Sequence, residues 1–193
     1  MPDSYDTNYA PFALFAEFSR CRFSWPTRNS SNPLYPPLLY SLICSQRLRN
    51  VIEVGLDRGY STRVLAQAAR DVGGHFWGVE IDRTRAHRIQ TELDADGYST
   101  TILVADSRDL DAIPGMDRCD FAYLDGDHSP DAVLHELAIL RPLMTSQSIV
   151  AIHDIRSASR EAWAIITQDP AWRWLALAAN FGLGLIQPVG DSS

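Results

Sequence analysis

Two stretches of this chain bring carboxylates and imidazoles within a few positions of one another. Phe121-Ala122-Tyr123-Leu124 runs into Asp125-Gly126-Asp127-His128, and Ile149-Val150-Ala151-Ile152 runs into His153-Asp154. Each is a short apolar run released into polar residues, the pattern of a buried strand and its end. Neighbouring parallel strands would gather Asp125, Asp127, His128, His153 and Asp154 at one edge of a sheet, the carboxyl edge where open α/β folds bind ligands. Crowded negative charge is costly there unless it is neutralised, and a divalent cation is the usual answer. Asp127 and His128 are the groups able to take a proton, the first as an ionised but weak base, the second with a reference pKa of about 6.5. Simpler roles compete: Asp125 and Asp154 as caps, His128 as a turn residue before Ser129-Pro130, His153 as a core histidine bonded to backbone.

A third stretch is Val51-Ile52-Glu53-Val54-Gly55-Leu56-Asp57-Arg58-Gly59-Tyr60-Ser61-Thr62. An apolar strand running into two glycines and a helix start is how a parallel sheet presents a nucleotide-like ligand. Gly55 and Gly59 allow a tight turn and close approach of backbone to ligand, and Ser61 or Thr62 is expected to cap the helix carrying Arg63-Val64-Leu65-Ala66. The spacing departs from the dinucleotide fingerprint G-x-G-x-x-G, and an acid, Glu53, sits inside the strand end. A second strand, His75 to Asp82, ends in Glu80, near the offset of roughly 20 residues at which a carboxylate grips ribose hydroxyls. A third, Thr100 to Ala105, ends in Asp106-Ser107. Taken alone, the two glycines could simply relieve crowding at a strand-turn-helix joint.

The elements that must position these residues alternate along the chain. Helices are expected near Ser61–Val72, Arg83–Asp96, Pro130–Met144 and Ser157–Gln168, between strands near 51–54, 75–81, 100–105, 119–124 and 148–153. Such alternation implies right-handed crossovers and a parallel sheet covered on both faces. Ahead of it, a helix starting at Asn32-Pro33 would turn Leu38, Leu39, Leu42 and Ile43 to the core. Residues 1–32 form a lead-in or lid segment with Phe12, Phe15 and Phe18 at helical spacing and a loop after Trp25-Pro26. The tail, Trp172 to Ala179 and Leu183 to Pro188, reads as an antiparallel hairpin.

At 193 residues the chain holds a lead-in over 1–32 and one domain over 33–193, large enough for a three-layer core. A net charge of −7 and a sequence pI near 5.1 argue against a nucleic-acid footprint and favour a small substrate. No apolar run is long enough to span a bilayer, so no membrane role is expected. The acidic, polar start argues against a targeting signal. Cys21, Cys44 and Cys119 lack C-x-x-C spacing and read as buried free thiols of a cytoplasmic protein.

The glycine loop, with its E-x-G-x-x-x-G-x-S-T order, resembles that of class I S-adenosylmethionine-dependent methyltransferases. Asp125-Gly126-Asp127-His128-Ser129 with His153-Asp154-Ile155 is similar to the cation-dependent O-methyltransferases acting on catechols, sugars and antibiotic scaffolds, over about residues 48–188. The resemblance implies an α/β, Rossmann-like doubly wound, mostly parallel seven-stranded sheet with a C-terminal antiparallel hairpin strand. It implies S-adenosylmethionine held by Glu53, Gly55, Gly59, Tyr60, Ser61, Glu80, Asp106, Ser107 and Asp125, with Glu53 near the cofactor's amino group, Glu80 on the ribose, and Asp106 and Ser107 beside the adenine. It further implies a divalent metal, magnesium or manganese, on Asp125, His153 and Asp154. Asp127 or His128 falls where that family places its base, a homodimer is compatible, and the acceptor is a small-molecule hydroxyl. His153 stands where many relatives carry an acid, and imidazole suits manganese, iron or zinc better than magnesium. A non-catalytic cofactor-binding scaffold is the alternative, and a nicotinamide-dependent oxidoreductase is disfavoured by the missing fingerprint.

Overall fold

A computed structural model of the chain describes residues 35–190. The expected lead-in helix, the Trp25-Pro26 loop, Cys21 and the Asn32 helix start lie outside them. Helix α1 (Tyr35–Gln46) leads into β1 (Asn50–Val54), followed by α2 (Tyr60–Asp71), β2 (His75–Glu80), α3 (Arg83–Ala95), β3 (Thr100–Val104), β4 (Phe121–Leu124), α4 (Pro130–Leu140), β5 (Ile149–His153), α5 (Arg160–Ile166), β6 (Trp172–Leu177) and β7 (Leu183–Pro188). The strands form one seven-stranded sheet in the order β3-β2-β1-β4-β5-β7-β6. Strands β1 to β5 pair in parallel, while β7 runs antiparallel to both β5 and β6. This is the expected α/β sheet with its C-terminal hairpin.

Side chains alternate across the sheet with the strand period of two, so each central strand feeds two cores. Ile52, Val54, Ala122, Leu124, Val150 and Ile152 face α4 and α5 through Val133, Leu137, Leu140, Ala162 and Ile166. Val51, Phe76, Phe121, Tyr123 and Ala151 face the other layer through Leu39, Ile43, Leu65, Ala69, Ile89 and Leu93. Strands apolar on both sides are what a parallel sheet with helices on both faces demands. Each fully buried Val, Leu, Ile or Phe among them contributes roughly 1.5–3 kcal/mol over its exposed state.

Three local expectations are corrected. Helix α2 is not capped by Ser61 or Thr62: Gly59, at φ 78°, occupies the cap position without a side-chain bond, and the helix has begun by Tyr60. Helix α4 ends at Leu140 rather than Met144, because the next turn, Arg141–Leu143, tightens to 3₁₀ around Pro142, which has no N–H to give. Helix α5 spans only Arg160–Ile166, because the Asp154 carbonyl first accepts from Ser157 N at 2.9 Å and Ser159 N at 3.1 Å in a turn.

Candidate active site

Register places the site. Val54 pairs with Val79 and Leu124, and Leu124 with Ile152, so β1, β2, β4 and β5 end level along one edge. A pocket of about 350 Å³ opens there, lined by Gly55, Glu80, Ser107, Asp125, Asp127 and neighbours.

Gly55 has φ 85°, and a Cβ at this position would stand 2.5 Å from the Asp125 carbonyl oxygen and 2.6 Å from Gly126 Cα. The space that this glycine saves is therefore filled by the end of β4 rather than reserved for a ligand. The turn is held by Glu80, only 4% exposed. Its Oε2 accepts from Leu56 N (3.2 Å) and Asp57 N (3.0 Å), and its Oε1 from Asp82 N (2.8 Å). Arg85 pairs with Oε1 at 3.1 Å. A carboxylate offers about four acceptor positions, so a ribose hydroxyl at Glu80 would compete with Arg85.

Glu53 lies beneath the loop with no exposed surface. Neither of its oxygens has a hydrogen-bond partner among the described residues. Burial raises its pKa to about 8; the Ser61 and Thr62 hydroxyls lie close enough to oppose that rise without being aligned to bond either oxygen. Gly59, Tyr60 and Ser61 stand outside the pocket lining. At the opposite end, Arg108 grips Asp106 through Nε (3.1 Å) and Nη2 (2.7 Å). That side-chain contact holds the Asp106 pKa down at about 2. Arg108 also stands 3.4 Å from Asp127. Asp127 accepts from Ser129 N at 2.9 Å, and this backbone bond is the leading cause of a lowered pKa.

At the ends of β4 and β5, one ring nitrogen meets two carboxylates. His153 Nδ1 lies 2.9 Å from Asp125 Oδ1 and 3.0 Å from Asp154 Oδ1. Neither oxygen lies in line with an Nδ1–H, leaving the buried Nδ1 and Asp154 Oδ1 without a hydrogen bond among the described residues. Burial pulls the His153 pKa down, but Asp125 and then Asp154 outweigh it and hold it above its ordinary value. His128 Nδ1 is 3.2 Å from the Ser159 hydroxyl and its Nε2 3.7 Å from Asp154 Oδ2. Asp125, His128 and His153 can each offer a ligand atom within 4.8 Å of the others. Asp154 has a left-handed backbone, φ 61°, which is strained for a residue with a side chain.

Sequence reasoning missed Arg85, Arg108, Ser159 and Glu136. The first three carry no pattern that marks them. Glu136 does: it interrupts the apolar stripe of Val133, Leu137 and Leu140 on a helix whose other face meets solvent.

A parallel sheet reversed only at β7, with a glycine turn after β1 and acids at four strand ends, is the architecture of class I methyltransferases. The chain belongs to the methyltransferase domain family, whose model matches residues 52–155. It is 32% identical over 112 residues to the rhamnosyl O-methyltransferase of Mycobacterium bovis, a match covering 54% of this chain and 44% of that protein, so the chain spans less than half the length of the curated relatives it matches. Its fold is similar to an SAH-bound methyltransferase of Podospora anserina, with TM-score 0.71, 16% identity, and coverage of 93% of this chain and 88% of that one. An O-methyltransferase of Streptomyces achromogenes in complex with SAM gives TM-score 0.66, 19% identity, and coverage of 92% and 86%.

Proposed function

We propose that this domain transfers the methyl group of S-adenosylmethionine to a hydroxyl of a small molecule, with a divalent cation held by Asp125, His153 and Asp154. The observation that carries it is the approach of His153 Nδ1 to two carboxylate oxygens at 2.9 and 3.0 Å without hydrogen-bond alignment. Separations near 3 Å are those between neighbouring ligands of a cation whose bonds are about 2.1 Å long. The donor set, carboxylates with imidazole, suits manganese better than magnesium. When bound, the cation lowers the pKa of the acceptor hydroxyl and fixes its direction.

The cofactor reading is supported by Glu53, a buried carboxyl without a hydrogen-bond partner that a nearby ammonium group would ionise, and by the pocket running from Asp125 to Ser107. The chain's own part in the reaction is alignment and proton removal. The acceptor oxygen forms its bond to the methyl carbon as the carbon–sulfur bond breaks, and the hydroxyl proton passes to His128 Nε2. Asp127 is the poorer base, since Ser129 and Arg108 both favour its ionised form. A sugar hydroxyl is the first acceptor to try, given the name of the rhamnosyl relatives. A 1–32 lead-in, a cytoplasmic setting, no nucleic-acid partner and a homodimer belong to the same reading. No helix among the described residues is long and apolar enough to cross a membrane.

One observation favours a second role for His128: its place in the cluster with Asp125 and His153. Turnover on a panel of sugar and catechol acceptors, with chelator and with manganese restored, tests the proposal. Loss in chelator with SAH binding intact is expected; full turnover in chelator would remove the cation from it. Titration of manganese into His128→Ala then separates the roles, because a base leaves manganese affinity unchanged whereas a ligand lowers it.

A further inference from the structure

Glu136 is 2% exposed on α4. Its Oε1 accepts from the Ser107 hydroxyl at 2.6 Å, and its Oε2 is buried with no partner among the described residues. A carboxyl in such surroundings is costly to keep, and methyl transfer and proton removal at Asp125 to His153 make no use of it. Its position is informative. Adjoining the open pocket is a narrow second space of about 10 Å³, lined by Ser107, Glu136 and apolar side chains. Val54, Val79 and Ser107 belong to both. Glu136 thus stands behind the pocket wall and Ser107 forms part of it.

A serine hydroxyl has one hydrogen and two acceptor positions. At 2.6 Å the Ser107–Glu136 contact has the length of a charge-assisted O–H···O⁻ bond. The hydrogen is committed inward, so Ser107 Oγ has only lone pairs left for a ligand. Asp106 beside it has both oxygens engaged by Arg108.

We propose that Glu136 is a positioning residue that fixes Ser107 as a hydrogen-bond acceptor and so makes the pocket select a 6-aminopurine over a 6-oxopurine base. This rests on the reading that the pocket holds S-adenosylmethionine with its base at the Asp106–Ser107 end. An exocyclic amino group brings the N–H that Ser107 lacks, whereas a 6-oxo group sets acceptor against acceptor.

The test is calorimetric binding of S-adenosylhomocysteine and of S-inosylhomocysteine, its 6-oxo counterpart, at pH 8, above the value of about 7 to which burial raises Glu136. Wild type should prefer the amino form by roughly tenfold or more, as a site built around one polar group does. In Glu136→Gln the amide can donate to Ser107 and free its hydrogen for the pocket, so the preference should collapse; Ser107→Ala should collapse it too. Equal binding of both compounds by wild type, or a preference that survives in both variants, overturns the proposal. Failure of wild type to bind S-adenosylhomocysteine at all would instead defeat the methyltransferase reading on which it depends.

Discussion

Two acids at this site are kept where water cannot reach them. Burial is the leading cause in both: it raises the Glu53 pKa to about 8 and the Glu136 pKa to about 7. In the unfolded chain both titrate near 4.3. Between roughly pH 4.5 and 8 the folded protein therefore holds protons that the unfolded chain has lost, and stability must fall as pH rises through that window. Urea unfolding of the cofactor-free protein at a series of pH values should show this fall. Glu53→Gln with Glu136→Gln should flatten it by several kcal/mol, on the order expected from shifts of this size. An unchanged slope in the double variant would show that both carboxyls ionise as freely in the fold as outside it. Of the residues concerned, the positions of Glu53 and Glu80 were legible because one stands just inside and the other at the end of an apolar strand. Arg85 and Arg108 were not, because the partners that give them meaning lie on other elements and a lone arginine on a surface carries no signal.

The glycine turn looks in sequence like one feature with two equivalent residues, and the structure separates them. A Cβ at Gly55 would meet fixed backbone at 2.5 Å, whereas the nearest neighbours of one at Gly59 would be the Arg63 and Ile89 side chains, at 3.3 Å or more. Both backbones are left-handed, at φ 85° and 78°. Gly59→Ala should therefore cost about 1–2 kcal/mol, the strain of that conformation. Gly55→Ala should cost several kcal/mol, since β1 and β4 must also part. Chemical denaturation of the two variants gives the ordering, and equal losses would mean that the β4 end yields easily. Strands were read to within about two residues at each end, as with 51–54 against Asn50–Val54 and 119–124 against Phe121–Leu124, because apolar runs between turn residues are well bounded. Helix ends were read worse. At Gly59 a backbone conformation replaced the side-chain cap, and at Asp154 a turn consumed the first residues assigned to α5.

At the scale of the molecule, strand–helix alternation was enough to predict the sheet, and the reversed strand followed from the short link between β6 and β7. That β7 rather than β6 joins β5 depends on pairing between distant strands, which no local pattern records. If the pocket is a cofactor site, S-adenosylhomocysteine at about 100 times its Kd should stabilise the native state by about 2.7 kcal/mol. In a chain of this size that is roughly 5–10 °C in melting temperature. NAD at the same concentration should do nothing, and equal shifts from the two would return the glycine loop to a generic nucleotide site. The left-handed backbone of Asp154 also bears on stability. Glycine adopts φ 61° without strain, so Asp154→Gly should melt higher than wild type by the equivalent of about 1 kcal/mol while losing turnover. A backbone left to optimise its own comfort would discard this aspartate. On the proposal that Asp154 helps to hold a cation, durability has been given up to keep a carboxylate beside His153, and a stability screen blind to catalysis should recover its replacement early.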